Sequence, residues 1–444
     1  MTMKTNYFFK AVIFIVLALV FSCDQDPIFY TISTEPIPVK PRIQGGPTNM
    51  AVFERTYPEG KVSIMYIASG ELHWYAKAEK GAGDPDWDLA EYGIPQPGGK
   101  VIGLAVAGEH LYALCIMGTG VTTVLRRIGT AENEWSTIRN TEGRYTLIQS
   151  IYATTGTPDR LFAGAMNNSG RDYGILYLKD PAAPSLGLIA GDTEMLSGAA
   201  SLGGFHYLST RGKGVYKIAE SGLVTGQIES NVSQLPELVR KKDENGNEIM
   251  EPAAGNRLFM GMIQFTDELN NDVIIVIERN GGTFFEAREN GFARIRYSNG
   301  TNAASGRFAT GALALWRMVI RDDDGTNPRP GDKEMLIAGI QGGLFSSTTT
   351  SSSFTHGYVE IDLNSITYED GWLVLNNNRN ISPDITVDGK TDRYTATIGK
   401  HPINHMYQTS QEIDVNMTFF ASTQTAGLWS YRNREGGWQW NAEK

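Results

Sequence analysis

Cysteine is almost absent from this sequence. The chain has 444 residues and only two cysteines, Cys23 and Cys115. A small secreted domain held together by disulfides needs several cysteine pairs, so this fold must be stabilised by packing alone. Cys115 lies in the apolar run HLYALCIM, which predicts a buried thiol.

An excess of positive charge is also missing. The chain has 49 acidic and 39 basic residues and a formal net charge of -10. Nucleic-acid binding depends on clustered Lys and Arg, and the sequence has no basic run and no zinc-type Cys/His spacing. We therefore exclude nucleic acid as a partner.

Signatures of metal and cofactor sites are absent as well. The sequence contains no P-loop, no dinucleotide fingerprint and no Gly-x-Ser-x-Gly motif. His401 and His405 are separated by Pro402, which breaks the helix that such a metal-binding pair would need. Asp322–Asn327 is rich in oxygen ligands, but its glycine stands two places too early for a calcium-binding EF-hand loop. The sequence predicts no cofactor and no metal site.

Only one long hydrophobic run is present, at residues 11–21 (AVIFIVLALVF). It is too short to span a membrane comfortably. Lys4 and Lys10 precede it and Ser22 follows it, which is typical of a secretory signal peptide over residues 1–22. The run Leu19–Cys23 resembles a bacterial lipobox, although Phe21 takes a place usually held by a smaller residue. This resemblance implies a lipidated Cys23, a membrane anchor and a location in the cell envelope, on its periplasmic or surface side. The alternative is an ordinary signal peptide followed by a chance cysteine.

A proline-rich segment follows, at residues 23–47. Its prolines are Pro27, Pro36, Pro38, Pro41 and Pro47. Proline at this density favours extended chain, so the segment is predicted to be a tether between the anchor and the folded body. Alternatively, part of it forms an edge strand of that body.

From residue 48 to residue 444 the sequence repeats one pattern. A glycine followed by an apolar or aromatic pair recurs after short β-prone runs, as in GILY, GVY, GTFF, GLF and GLW. Seven further apolar runs each precede such a phrase: NMAVFER, VIGLAVAG, LIQSIYATT, EMLSGAAS, RLFMGMIQF, ALALWRMVI and INHMYQTS. Four short strands in each of about seven units predict an all-β fold, a β-propeller of about seven four-stranded blades. Small residues are expected where the inner strands crowd together: Ala163, Gly164, Ala338, Gly339, Ala421 and Ser422.

The last unit resembles the BNR or Asp-box hairpin of sialidase-like and sortilin-like propellers. That motif reads Ser-x-Asp-x-Gly-x-Thr-Trp, and the matching residues here are Ser430, Gly436, Gly437 and Trp440. The chain departs from it because Arg432 or Asn433 replaces the aspartate and Gln439 replaces the threonine. The resemblance implies a propeller and carries over no catalytic residue. The expected location also suits a role like that of the propeller lipoprotein of outer-membrane assembly, although its repeat motif does not occur here.

The loops that join successive units are expected to carry the function. Four cations are predicted on neighbouring hairpins of one face, where they could bind an anionic group: Arg171, Arg211, Lys213 and Arg279. The alternative is that they are ordinary solvated turn residues. We therefore expect a non-enzymatic, membrane-anchored lipoprotein that binds a protein or glycan through its loop-rich face. A glycan-processing enzyme of sialidase-like or lyase type and a scaffold in envelope assembly are the two alternatives. The enzyme would need two carboxylates close together beside the arginines.

Overall fold

The computed structural model describes a nearly all-β body within a compact unit that spans Ile43–Glu443. The described residues are 49–58, 60–68, 75–78, 88–89, 100–117, 122–179, 184–267, 270–279, 283–297, 312–320, 333–340, 358–362, 366–369, 372–375, 380–381, 402–409, 418–424, 427–434 and 437–443. The predicted signal peptide, the predicted lipidation site Cys23 and the predicted tether lie outside these residues, as do His401 and Asp322–Asn327. Within the described part of the chain, no helix is long and apolar enough to cross a membrane.

The strands of the first half form three sheets. The first sheet has the order β1 (Asn49–Tyr57), β2 (Gly60–Ala68), β3 (Tyr75–Ala78) and β4 (Asp88–Leu89). The second is eight-stranded and contains β5 (Lys100–Ala107), β6 (His110–Met117), β7 (Thr122–Gly129), β8 (Ser136–Asn140), β9 (Leu147–Ala153), β10 (Leu161–Met166), β11 (Tyr173–Leu178) and β12 (Ser185–Thr193). Its order is β5-β6-β7-β8-β12-β11-β10-β9. The third contains β13 (Leu196–Leu202), β14 (Phe205–Thr210), β15 (Val215–Ala219) and β16 (Val232–Gln234), with a short helix α1 (Glu220–Thr225) between its last two strands.

The second half continues the pattern of antiparallel sheets and adds two inserted β-hairpins. A six-stranded sheet contains β17 (Glu237–Lys242), β18 (Glu248–Ala253), β19 (Phe259–Thr266), β20 (Asp272–Glu278), β21 (Phe284–Arg288) and β22 (Gly291–Arg294). The next strands are β23 (Arg296–Tyr297), β24 (Ala312–Ile320), β25 (Lys333–Ile340), β26 (Tyr358–Asp362), β27 (Ile366–Glu369), β28 (Trp372–Leu375) and β29 (Asn380–Ile381). They form one sheet of order β24-β25-β26-β29 and another of order β23-β28-β27. The last sheet contains β30 (Ile403–Gln408), β31 (Phe419–Thr423), β32 (Leu428–Arg434) and β33 (Gly437–Ala442).

Each of the seven apolar runs that begin a repeat forms a strand. These strands are β1, β5, β9, β13, β19, β24 and β30, and each pairs antiparallel with the next β-prone run. Each one contacts the next in this series, and β30 contacts β1. The two edge strands of the eight-stranded sheet, β5 and β9, also contact each other, so that sheet is nearly closed. The all-β class is thus confirmed, whereas the division into about seven blades stays a prediction.

Glycines lie where one sheet packs closely against the first strand of the next sheet. A Cβ added to Gly198 of β13 would lie 2.8 Å from the amide nitrogen of Met262 in β19. The same relation links three further pairs: Gly164 with Leu196, Gly261 with Leu315, and Gly339 with Ile403. Gly164 of β10 and Gly339 of β25 are thus tightly packed, although the prediction that small residues mark the inner strands stays untested. The pattern explains the repeated glycines, because neighbouring sheets could not approach so closely around a side chain.

Gly198→Ala is expected to lower the free energy of unfolding by about 1–3 kcal/mol, because the new methyl group overlaps the backbone of the neighbouring sheet. Gly143→Ala is the matched control, since a Cβ there meets nothing within 4 Å. Urea unfolding of both variants measures the difference. Equal midpoints would show that the contact between β13 and β19 is not tight.

The core consists of apolar side chains packed between neighbouring sheets. Phe259, Phe285 and Phe292 form a buried triangle of rings with centroids 5.4–5.7 Å apart and edge-to-face geometry, the arrangement that aromatic rings prefer. The aromatic residue of the repeated glycine phrase is buried at Tyr177, Tyr216 and Phe285. Cys115 is buried, as predicted, and burial raises the pKa of its thiol to about 12.

His405 of β30 has no hydrogen-bond partner for Nδ1 among the described residues. Burial lowers its pKa from 6.5 to about 4. A pKa lower in the folded state than in the unfolded chain means that the unfolded chain binds more protons. The stability from neutral His405 is therefore present above about pH 6.5 and lost as the pH falls toward 4.

Protonation of His405 should lower the free energy of unfolding by about 1–3 kcal/mol between pH 7 and pH 4. Urea unfolding at pH 7, 5.5 and 4 measures this loss. His405→Gln should flatten the profile, because the amide does not titrate. An identical profile in the variant would rule out His405 as the source.

Candidate functional site

A cleft of about 720 Å³ lies between the third sheet and the six-stranded sheet. Its lining comes from the β13–β14 and β19–β20 turns, the end of β21, and Tyr368 of β27. The volume is that of a typical small-ligand site. Aromatic and polar side chains share the lining, so the cleft can offer both a flat apolar surface and hydrogen bonds.

The first wall is the hairpin that joins β13 and β14. Gly203 and Gly204 form its two-residue turn at φ +61° and +80°, which glycine adopts without strain. Phe205 begins β14, and the ammonium group of Lys217 lies 4.6 Å from the centroid of its ring. This hairpin presents an aromatic face and open backbone to the cleft.

A buried polar network holds this hairpin in place. The Ser201 hydroxyl donates to the carbonyl oxygen of Pro158, and its Oγ lies 2.8 Å from Nδ1 of His206. Nε2 of His206 lies 2.6 Å from the Glu220 carboxylate, which also accepts from the Arg160 guanidinium. The backbone amide of Glu220 donates to the carbonyl of Gly204. The network thus ties α1 to the turn that forms the wall.

Serine, histidine and an acid also make up hydrolase triads, but this network is structural. Ser201 is 1% exposed and His206 is 0% exposed, so a substrate cannot reach the hydroxyl. Burial lowers the pKa of His206 against the opposing effect of Glu220. Burial raises the pKa of Glu220, but the hydrogen bonds from Arg160 and His206 outweigh it, so the net shift is downward.

The second wall is the turn that joins β19 and β20. Asn270 has φ +60°, the left-handed conformation that asparagine tolerates in turns. The amide of Asn271 donates to the Asp267 carboxylate at 2.7 Å. Asp272 accepts from Thr266 at 2.6 Å and from Gln264 at 3.2 Å. The turn is fixed from within, and Asn270, Asn271 and Asp272 are exposed to the cleft.

The end of β21 places a buried carboxylate and a guanidinium beside each other. Glu286 is buried and accepts from Nε of Arg288 at 2.7 Å and from the amide of Leu373 at 2.8 Å. Burial raises the pKa of Glu286 against the opposing charge of Arg288. The Arg288 guanidinium also lies 4.8 Å over the Trp372 ring. Arg288 is therefore held rigidly in the lining.

Tyr368 reaches the cleft from the inserted β27–β28 hairpin. Its hydroxyl donates to Asp267 at 2.6 Å. Burial raises the pKa of Tyr368, and the hydrogen bond to Asp267 raises it further. The tyrosine is therefore neutral at ordinary pH, and the hydrogen bond to Asp267 fixes its position in the lining.

The predicted cations lie at the other end of the same strands. Arg211 follows the last residue of β14 and Arg279 follows the last residue of β20, whereas Phe205 and Asp272 begin those strands in the cleft. The backbones of Arg211 and Arg279 both pair with the backbone of Leu258. Lys213 lies in the same turn as Arg211 and donates to the carbonyl of Asp192.

Arg171 occupies the exposed turn between β10 and β11, where its amide donates to Asn167. This turn belongs to the eight-stranded sheet, whereas Arg211 and Lys213 lie in a turn of the third sheet. The long loop after β16 forms a hairpin: β17 pairs with β18 across a turn that includes Asn245 and Gly246, with Gly246 at φ +84°.

Two carboxylates do meet at this second end, as the enzyme alternative requires. Arg257 donates to Glu237 at 2.7 Å and to Glu278 at 3.1 Å, so both lie on one guanidinium. Both glutamates are buried, and Arg294 lies 3.6 Å from Glu237. Because Arg257 binds both carboxylates, the cluster acts as a structural tie between β17, β20 and the start of β19.

One residue of the cleft, Glu286, could have been recognised in the sequence, although the repeat pattern drew attention away from it. Glu286 stands in FFEAR, where a charged residue interrupts a buried β-prone run. A buried carboxylate in a strand demands a partner, and Arg288 two residues later supplies it. Tyr368 could not be found in this way, because only the tertiary fold brings β27 to β21.

The described residues contain no group of three or more His, Cys, Asp or Glu side chains that could hold a metal ion.

No protein-family model and no curated protein matches this chain. Solved structures similar to it include a presumed 6-phosphogluconolactonase from Bacteroides uniformis, 9% identical over 88% of this chain and 94% of that chain, with a TM-score of 0.39. A computationally designed protein, Ika8, is 10% identical over 88% of this chain and 96% of its own, with a TM-score of 0.42. A Hadza microbial sialidase is 12% identical over 54% of this chain and 56% of its own, with a TM-score of 0.31. At these identities and scores, the likenesses assign no ligand and no reaction to this chain.

Proposed function

We propose that this chain is a lipid-anchored protein of the bacterial cell envelope that binds a glycan in the cleft without catalysing a reaction. The observation that supports this function best is the lining. Phe205 and Tyr368 offer aromatic surface, and Asn270, Asn271 and Asp272 offer converging polar groups. A sugar has apolar C–H faces and many hydroxyl groups, so it is complementary to both features.

A glycan fits the described surface better than a protein partner does. Protein interfaces and assembly scaffolds need an apolar core that is withdrawn from water. Among the described residues, the exposed large hydrophobic side chains are Val224, 68% exposed, and Ile249, 37% exposed. They lie on α1 and β18, so they form no shared patch with the cleft.

Equilibrium binding to a panel of oligosaccharides, measured with the full-length protein in detergent, tests the function. Tyr368→Ala and Asn271→Ala should each weaken binding at least tenfold, because each removes a contact with the sugar. Arg171→Ala is the control, since Arg171 is exposed and remote from the cleft lining. Unchanged affinity in both cleft variants, or no binding of any glycan, would contradict the proposal.

The Arg211–Arg279 end is a second candidate surface, for an anionic ligand. Arg211 and Arg279 flank Leu258, and Nε of Arg211 is buried without a hydrogen-bond partner among the described residues. Guanidinium groups suit sulfate or carboxylate groups. A heparin-derived oligosaccharide is the probe, and the double variant Arg211→Ala, Arg279→Ala should lose its binding. Binding that persists would instead point to non-specific attraction by other cations.

The body that carries both surfaces is, in this proposal, a seven-bladed β-propeller. The series of contacts from β1 through β5, β9, β13, β19, β24 and β30 back to β1 supports it. In a propeller the first strands surround a central channel. An experimental structure in which β30 and β1 do not meet would contradict the seven-bladed arrangement.

The anchor is proposed at Cys23. Cys23→Ala should release the protein from membranes almost completely, because no acyl chains remain to partition into lipid. Cell fractionation measures the release, and mass spectrometry of the wild-type N-terminal peptide should show acyl groups on residue 23. Cys115→Ala is the matched control and should stay on the membrane. A variant without Cys23 that still sediments with membranes would contradict lipid anchoring.

A further inference from the structure

We propose that the glycan bound in the cleft carries a protonated amino group, which Asp272 holds. This inference rests on the proposed glycan-binding function and names the chemical class of the ligand. It follows from the balance of charge in the lining, from the way the protein's own cations are already used, and from the surroundings of Asp272.

Acidic side chains outnumber cations in the lining. Asp272, Glu286 and Glu289 line the cleft, and Arg288 is the cation among the lining residues. Arg288 pairs with Glu286 and lies over the ring of Trp372, and Lys217 beside the lining pairs with Glu289 at 3.8 Å. A ligand carboxylate or sulfate would be repelled by the remaining charge of Asp272, whereas a cation would be attracted to it.

The cleft wall already accommodates one ammonium group, that of Lys217. It lies 4.6 Å from the centroid of the Phe205 ring and donates to the carbonyl oxygen of Glu289 at 2.8 Å. An aromatic face and a carbonyl oxygen are the partners that an alkylammonium prefers. The cleft walls therefore contain groups that bind cations. Lys217 occupies only those beside β15, the Phe205 ring and the Glu289 carbonyl.

Asp272 provides the corresponding partner on the other wall. The Thr266 hydroxyl and the Gln264 side-chain amide donate to it, and both are neutral donors. Within the described part of the chain, no Lys, Arg or His lies within ion-pair distance of Asp272. The carboxylate is held at the cleft by two hydrogen bonds and has oxygen lone pairs left for a charged donor.

Amino-bearing sugars fit this arrangement better than basic peptides. The Asn270 and Asn271 amides beside Asp272 can both donate to and accept from hydroxyl groups, which vicinal sugar hydroxyls need and a lysine side chain lacks. An amino sugar therefore uses the amides, the aromatic faces and the carboxylate together.

Three oligosaccharides of equal length test the inference with the full-length protein. They are the glucosamine hexamer, the N-acetylglucosamine hexamer and the galacturonate hexamer. We expect the glucosamine hexamer to bind at least about tenfold more tightly than the N-acetylated one, since a charge-assisted hydrogen bond is lost on acetylation. The galacturonate hexamer should bind most weakly, and added salt should reduce the preference for the amine.

Asp272→Asn should abolish the preference while leaving weak binding of the N-acetylated hexamer in place. Glu54→Gln is the control, because Glu54 is an exposed acid of β1 paired with Lys61. Equal binding of the amino and N-acetyl hexamers to the wild type would overturn the inference but leave glycan binding intact. A preference retained in Asp272→Asn, or tighter binding of a lysine-rich peptide than of every sugar, would also overturn it. Failure of all oligosaccharides to bind would overturn the proposed function itself.

Discussion

Replacing Glu220 by alanine is expected to lower the free energy of unfolding by about 2–4 kcal/mol. Glu220 accepts from Arg160 and His206, and through His206 it supports Ser201. Removal of the carboxylate leaves the fully buried His206 and the largely buried Arg160 without their shared partner. A buried polar group without a partner has also lost its hydration by water. Leaving it unpaired therefore costs more free energy than an exposed pair contributes.

Glu54→Ala is the matched control for this loss. Glu54 also accepts from one cation, Lys61 at 2.6 Å, but both side chains are exposed. A surface pair of this kind contributes little, so the variant should unfold at nearly the wild-type urea concentration. Equal losses in Glu220→Ala and Glu54→Ala would show that the buried network does not stabilise the β13–β14 hairpin.

Replacing Arg257 by alanine is expected to cost about 3–5 kcal/mol, the second large effect. Arg257 is bidentate to Glu237 and also donates to Glu278. Both glutamates are buried, so its removal leaves two negative charges close together, and among the described residues Arg294 is the cation left near one of them. Repulsion between the two carboxylates and the loss of their hydrogen bonds to Arg257 both destabilise the folded protein.

Lys241→Ala is the control for Arg257→Ala. Lys241 pairs with Glu251 at 2.5 Å across the β17–β18 hairpin, and both side chains are exposed. Urea unfolding should separate the two variants clearly. A stability loss below about 1 kcal/mol in Arg257→Ala would mean that the two glutamates find other partners or become protonated.

The repeat in the sequence was sufficient to predict the strands, because each sheet repeats one local packing problem. The apolar runs form β1, β5, β9, β13, β19, β24 and β30, and the glycine phrases place Tyr177, Tyr216 and Phe285 in the core. Period-two patterning and glycine turns are local signals, so they can be recognised in the sequence without the tertiary structure.

The cleft could not be predicted in the same way, because its residues come from distant parts of the chain. Phe205, Asp272 and Tyr368 meet only after the third sheet, the six-stranded sheet and the β27–β28 insertion pack together. The loop positions in the sequence instead point to Arg211 and Arg279, at the other ends of β14 and β20. Sequence spacing indicates which residues share a strand end, but the cavity depends on how neighbouring sheets pack.

The most direct measurement is a crystal structure of the protein soaked with the glucosamine hexamer. The account predicts sugar density in the cleft, with a ring against Phe205 or Tyr368 and an amino group within hydrogen-bond distance of Asp272. Density at the Arg211–Arg279 end, or an empty cleft in crystals of protein that binds the sugar in solution, would contradict it.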